Sequence, residues 1–493
     1  MGQEEIQESV SGVVISSNAS GSCVEKPGSH EQIEPTAASK KRQSLSDIFT
    51  IFCAGAALMS DGYQNNLMTM TNVLLGKEYP KEYTADVSTR VSNSLLVGQI
   101  IGMIVIGLTC DYMGRKAAIV ATTTLIVLGG ILATASNGVT VSGLFWMMTY
   151  PASSTSASEA SNEHALNKRG PIFILVTNLP LSFGGPFAVI VFLIVFAACG
   201  KAHYTTVWRI CFGIGCIWPL TVFYFRMKMM NSKLYRRTAM KKNVPYKLIF
   251  KYYGKNLIGT CGTWFLYDFI TFPNGVFSGT IISSVVSHKG SEGDVIQRTA
   301  EWQLLLGILS IPGVLLGAFL CDRIGRKNTM MIGFSGYLVF GLIIGLSFDK
   351  ITKIVPLFVI FYGLMQSTGN MGPGDMLGLL ASETYATPVR GTCYGISAAI
   401  GKTGAAVGTQ AFKPIQQHLG KKWTFIIAAI CGVVGVVVTY FFVEDISGDD
   451  LAIRDDRFRQ YLVDNGWEGE IGENDLKEDA GVHIVADEVE GAK

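Results

Sequence analysis

What most constrains this chain is a succession of apolar stretches, each close to the ~20 residues needed to cross the hydrocarbon core of a bilayer as a helix. Twelve follow one another, at residues 47–70, 91–110, 117–136, 139–160, 169–198, 205–225, 256–286, 302–321, 328–348, 354–380, 391–411 and 422–443. In lipid every backbone N–H and C=O must find a partner inside the protein, so such segments fold as helices. A barrel would instead show alternating strands of about ten residues. Composition agrees: 16% of the residues are charged, against about 25% in soluble domains.

The flanks read differently. Residues 1–46 are rich in Ser, Glu, Gln and Lys and lack the apolar core of a secretory signal, which predicts a disordered cytosolic tail. Residues 444–493 are acidic and read as a second cytosolic tail. The formal net charge of +2 gives no ground for a nucleic-acid partner. The ten cysteines are scattered, most of them in or beside apolar runs, and read as small buried hydrophobes, and the six histidines form no His-x-x-x-His pair, so no metal and no cofactor are expected. Gly395 to Thr403 resembles a phosphate-binding loop but has five residues between its glycines where four are required, and it lies in an apolar span with no preceding strand. An ATPase is therefore not indicated, and the chain is not expected to be an enzyme. Asn18-Ala19-Ser20 matches a glycosylation sequon, yet it falls in the tail placed in the cytosol.

Orientation follows from basic loops. Residues 226–255 hold ten Lys or Arg and no acid, which predicts a cytoplasmic linker between two groups of six spans. Both termini then lie inside, and the pairs Arg115-Lys116 and Arg326-Lys327 fall on the same side. Those two loops also repeat. Asp111-Tyr112-Met113-Gly114-Arg115-Lys116 matches Asp322-Arg323-Ile324-Gly325-Arg326-Lys327, 211 residues later. The chain thus reads as two duplicated halves, 47–225 and 256–443. A tight Gly-containing turn lets Asp111 and Arg115, or Asp322 and Arg326, act as a charged latch at a neighbouring helix end. Glu163 with Arg169, and Glu383 with Arg390, are spaced to join helix ends to these loops. The duplication is uneven: Arg169-Gly170 lies 58 residues beyond Asp111, whereas Arg390-Gly391 lies 68 beyond Asp322. The shortfall falls on the fourth span, which turns Ser- and Thr-rich after Tyr150-Pro151.

Ionisable groups at membrane depth are costly and mark pathways or partners. Asp61 lies in the first span, within Ser60-Asp61-Gly62-Tyr63-Gln64-Asn65-Asn66. Asp268 follows Trp264 by four residues, placing both on one helix face. Lys402 sits in the eleventh span, either on the pathway or as an intramembrane partner for an Asp. Asp375 follows Gly372-Pro373-Gly374, which is expected to break the tenth span and expose backbone to a cavity. Asp61 and Asp268 are candidate proton-coupling groups.

The duplicated D-x-x-G-R-K loop resembles that of the major facilitator superfamily. Ser60 to Gln64, Tyr150-Pro151-Ala152-Ser153-Ser154, Trp264-Phe265-Leu266-Tyr267-Asp268, Gly372 to Asp375, and Gly395 to Lys402 look like its phosphate:proton symporter branch, and within that branch like fungal glycerophosphodiester permeases. The resemblance implies an all-α membrane protein of twelve helices in two six-helix pseudo-symmetric halves, monomeric, in the plasma membrane. It implies proton-coupled uptake of glycerophosphoinositol or glycerophosphocholine by alternating access. It further implies substrate contacts from Tyr150, Asn178, Trp264 and Asp268, beside Asp375 and Lys402. Gly374 and Phe272 stand where phosphate carriers have Asn and an aromatic hydroxyl, which enlarges the site for a diester. The family's acid before Tyr-Pro in the fourth span is here Thr149. Two other readings stay open: an inorganic phosphate:proton symporter, and a transport-deficient variant or sensor whose fourth helix lacks ten or more residues.

Overall fold

The computed structural model describes residues 37–113, 169–201, 203–227, 244–286, 290–446 and 451–467, with isolated helical positions between 120 and 134. Residues 1–43 form a unit of their own, of which only the start of the first helix is described, and residues 44–493 form the second. Among the described residues there is no strand. The helices are α1 (Ala37–Glu78), α2 (Ala85–Met113), α3 (Arg169–Ala198), α4 (Tyr204–Met227), α5 (Tyr246–Val276), α6 (Ser278–Ser283), α7 (Glu292–Leu320), α8 (Arg326–Leu346), α9 (Phe348–Ile351), α10 (Val355–Gly369), α11 (Asp375–Thr384), α12 (Arg390–Leu419), α13 (Lys422–Phe442) and α14 (Leu451–Asp464). Most of the third predicted span and all of the fourth lie outside the described residues, with Arg115, Tyr150 and Glu163.

Five of these helices are long and apolar enough to cross a bilayer on length and composition alone, at 86–109, 169–198, 292–320, 326–346 and 422–442. Their outer faces carry bare apolar side chains, such as Leu346 at 76% exposure and Ile194 at 64%. Such a surface suits lipid. Helices α5 and α12 fall short of the apolarity test while packing against each other, and both are interrupted by polar or charged residues that line the interior.

Three boundaries differ from the sequence reading. Helix α1 starts ten residues earlier, at Ala37, inside the segment expected to be a disordered tail. Tyr246 to Lys255, assigned to the basic linker, form the first turns of α5. Hydropathy registers only the apolar part of such helices, whose polar ends continue beyond it. The segment from Glu444 is not all tail either: α14 buries Leu451, Phe458 and Leu462. Asp455 Oδ1 accepts the Thr387 N–H at 2.6 Å, and Arg454 donates to the Thr384 carbonyl at 3.2 Å.

The two sequence halves meet through corresponding helices. Helix α2 packs along α12, and α3 along α7. The α2–α12 crossing is close enough to require glycine: a Cβ on Gly107 would stand 2.8 Å from the Cα of Gly395. At the start of α7, Ser291 and Asp294 form a reciprocal capping box. There Lys77 and Lys201 from the first half reach Glu292 and Asp294 from the second, each at 3.0 Å.

The tenth predicted span is not broken at Gly372-Pro373-Gly374 but widened. Pro373 has no N–H and cannot support a regular turn. The Asp375 N–H instead bonds the carbonyl of Asn370, five residues back, making a single π turn over Asn370–Gly374 between α10 and α11.

Candidate functional site

A cavity of about 280 Å³ lies between the two sequence halves, lined by α1, α2 and α3 on one side and by α5, α7, α8, α10, the π turn, α11 and α12 on the other. Asp61, Asn178, Trp264, Asp268, Asp375 and Lys402, six of the residues singled out from sequence, all line it. They come from α1, α3, α5, α11 and α12, which no local motif could bring together.

At its charged side Lys402 Nζ donates to Asp268 Oδ2 at 3.0 Å, with Asp268 almost wholly enclosed. The same ammonium sits 3.8 Å from the centre of the Phe272 ring, one turn beyond Asp268, where its charge meets the ring's negative face. One turn before Asp268, Trp264 lies against Gly401, whose missing side chain makes room for the indole, and it meets Tyr394 edge-on at 5.4 Å. The face shared by Trp264, Asp268 and Phe272 therefore packs on the helix that carries Lys402.

Asn178 and Asp375, expected separately as substrate ligands, are bonded to each other. The Asn178 amide donates to Asp375 Oδ1 at 3.2 Å and to the carbonyls of Gly374 and Asp375, each at 3.3 Å. The last residue of the π turn and the first of α11 supply those carbonyls, so the interruption in the tenth span does present backbone to the cavity wall.

Amide side chains supply much of the remaining polar wall. Gln64, Asn65, Asn66, Gln99, Asn274, Gln303, Gln366 and Asn370 join Asn178 there. Gln99 donates to Asn65 Oδ1 at 3.0 Å, and Tyr267 donates to Asn370 Oδ1 at 3.3 Å. The sequence reading missed all of these except the Gln64-Asn65-Asn66 run. The available signal was an isolated amide inside an otherwise apolar span, as at Gln99 and Gln303.

The latch residues gather at the ends of α2, α3, α7, α8, α11 and α12. The Arg169 guanidinium donates to Glu383 Oε1 at 2.6 Å, and Arg326 reaches the same carboxylate at 3.2 and 3.4 Å. Arg326 also pairs with Asp322 at 2.9 Å. Burial raises the Asp322 carboxyl above its ordinary value, while the adjacent Arg326 pulls it down. Glu383, read from sequence as joining a helix end to the motif loop, meets Arg326 of that loop and also Arg169, because the start of α3 comes to lie beside it. Arg390 donates to the Tyr385 carbonyl and to Thr387 Oγ1. Asp111 accepts the N–H groups of Gly391 and Thr392 at 3.0 and 2.6 Å, so a motif acid of one half caps the first turn of α12 in the other. The matching acid, Asp322, lies over Gly170 at the start of α3, where a Cβ would stand 2.8 Å from Oδ1. The duplicated loops thus touch corresponding helix starts.

Two helix sets joined by matching latches, with a cavity between them that holds charged and amide side chains and with lipid-compatible outer faces, define a multi-pass membrane transporter of the major facilitator type. Residues 48–455 match the family described as sugar (and other) transporter, and the chain belongs to it. It is 56% identical to glycerophosphoinositol permease 1 of Candida albicans, over 88% of this chain and 86% of that protein. It is 51% identical to glycerophosphoinositol transporter 1 of Saccharomyces cerevisiae, over 92% and 89%. Its fold is similar to that of the proton:xylose symporter XylE bound to 6-bromo-6-deoxy-D-glucose, with a TM-score of 0.69 at 16% identity, covering 84% of this chain and 100% of that one.

Proposed function

We propose that this chain imports glycerophosphodiesters, glycerophosphoinositol or glycerophosphocholine, by proton-coupled symport across the plasma membrane, with both termini in the cytoplasm. The names of its 56% and 51% identical relatives support the substrate class. The run of ten basic residues over 226–255 supports the orientation.

The observation that carries the mechanism is the Asp268–Lys402 pair. Among the described lining residues Lys402 is the one cation beside three carboxylates, Asp61, Asp268 and Asp375. A phosphodiester anion entering that cavity with all three ionised meets net repulsion, which is severe at low dielectric. A proton delivered to Asp268 removes one negative charge and releases Lys402 to the anion. Loss of the proton restores the pair and expels the anion. Proton and substrate are thereby coupled through competition for a single ammonium, with Asp61 as the second acid on the route. Alternation follows if the Arg169–Glu383–Arg326 cluster and the Lys77–Glu292 and Lys201–Asp294 pairs close the two ends in turn.

Uptake of radiolabelled glycerophosphocholine and glycerophosphoinositol at acidic pH, with excess inorganic phosphate as competitor, tests this. Saturable uptake that a protonophore abolishes and phosphate leaves intact is expected. Competition by phosphate at comparable concentration would favour an inorganic phosphate carrier.

One observation favours a second reading. Arg169-Gly170 and Arg390-Gly391 open corresponding helices, so the interval that is ten residues shorter in the first half is a true difference between the halves, and it falls before Arg169. A chain that reaches the membrane and takes up no diester, while a version with ten to fifteen residues inserted before Tyr150 does, would be a transport-deficient variant.

A further inference from the structure

The charged side of the cavity accounts for only part of its wall. Among the described residues, four buried acceptor atoms on the cavity lining have no hydrogen-bond partner: Gln99 Oε1, Gln303 Oε1, Asn178 Oδ1 and Asp375 Oδ2. Buried polar atoms are rarely left so, because an unmet one carries its desolvation penalty uncompensated. Those of Asn178 and Asp375 belong to the linked pair beside the π turn. The other two come from different helices, α2 and α7. Gln99, on α2, commits its N–H to Asn65 on α1, which orients the amide and leaves its oxygen as the unused group. Gln303, on α7, is 8% exposed. Its neighbourhood is held open by small or rigid residues, with Gly307 one turn along resting on the Pro186 ring.

Neutral acceptors repel a phosphate oxygen and attract a hydroxyl hydrogen. An amide also offers donor and acceptor side by side, which matches two adjacent hydroxyls. The wall holds nine side-chain amides against a single lysine, far more than one phosphodiester group can engage.

We propose that the Asn65–Gln99 pair and Gln303 form a separate subsite that binds the hydroxyls of a polyol group, while Lys402 takes the phosphodiester. The two subsites come from different helices, so one substrate with a charged centre and a hydroxylated end bridges them and draws α1 and α2 towards α7. Selection among diesters then rests on hydroxyl count at this subsite, and a diester bearing vicinal hydroxyls on its second group is preferred over one bearing an alkylammonium. This rests on the diester-uptake reading above.

The test compares KM for glycerophosphoinositol and for glycerophosphocholine in cells expressing the full chain or its Gln99→Leu or Gln303→Leu variant, with membrane content measured by immunoblot. In the unaltered chain the inositol diester has the lower KM, and in each variant its KM rises about tenfold relative to that of the choline diester, the size expected for one lost hydrogen bond. Equal shifts for both diesters in both variants, with normal membrane content, overturn the proposal. A variant missing from the membrane is replaced by Gln→Met at the same position, which keeps the length of the side chain and removes the acceptor, and for which the same ratio decides. If the unaltered chain takes up neither diester, the diester reading fails and this inference with it. Uptake with an unchanged ratio removes the subsite alone.

Discussion

The Arg169 guanidinium and the Glu383 carboxylate stand 2.6 Å apart although 214 residues separate them in the chain. Both are almost fully enclosed, and Arg326 shares the same carboxylate. Removing the negative charge takes the shared carboxylate from two buried guanidiniums and leaves Asp322 beside Arg326. Breaking a buried pair by deleting one partner costs about 3–5 kcal/mol. Glu383→Gln should therefore lower the melting temperature of the detergent-purified protein and increase the reactivity of cysteines placed at the ends of α3 and α8. Unchanged melting and reactivity would mean that this cluster does not hold the halves together.

At the other site the charge logic runs through Lys402. Asp268→Asn keeps the shape and removes the proton acceptor, so gradient-driven diester uptake should fall by at least a hundredfold, while Lys402→Ala alone should raise KM. If coupling works through the pair, the double variant should lose little beyond Asp268→Asn by itself, because interacting residues are not additive. Additive losses in uptake assays would place the two residues on independent steps.

The α2–α12 crossing gives a steric prediction. Gly395→Val puts branched carbons where the backbone of Met103 and Gly107 already stands, and it should lower both melting temperature and uptake. Gly254, in α5, has nothing within 4 Å of a built Cβ. Gly254→Ala should leave uptake intact and stabilise slightly, by up to about 1 kcal/mol through helix propensity. Thermal unfolding of the two variants side by side distinguishes a packing effect from general sensitivity to added methyl groups.

Helix α14 supports the turn that follows Glu383, through Asp455 to the Thr387 N–H and through Phe458, whose ring lies 5.4 Å from that of Tyr253. Truncation after Ile446 should lower the melting temperature and slow uptake, whereas truncation after Trp467 should do neither. Equal behaviour of the two truncations, measured on matched membrane content, would show that α14 plays no part in stability or turnover.

Legibility varied with the kind of signal. The helical membrane fold was readable because every apolar run reports its own need for internal hydrogen bonding, and the span at 169–198 coincides with α3 residue for residue. Helix ends were less readable: α5 runs ten residues into basic sequence, where hydropathy carries no signal. The candidate site was readable where a residue was expensive. Charge inside an apolar span marked Asp61, Asp268 and Lys402, and a proline between glycines marked Asp375. Amides are cheaper to bury than charges, so Gln99 and Gln303 passed unmarked.

Pairing was the part that needed coordinates. Sequence spacing placed Glu383 and Arg390 at helix ends near the motif loop without naming the partner of either, because proximity along one chain is all that spacing measures. The packing of α3 on α7 and α11 brought Arg169 to that carboxylate, beside Arg326 of the motif loop. The same holds for Asn178 with Asp375, and for Asp111 with the first turn of α12. By itself the sequence determined a helical membrane chain, its duplicated loops and its costly intramembrane charges, because each is a local energetic requirement. Which acid meets which base, and which amides share a cavity, was decided by the tertiary structure, since only the crossing of helices distant in sequence brings such groups within 3 Å.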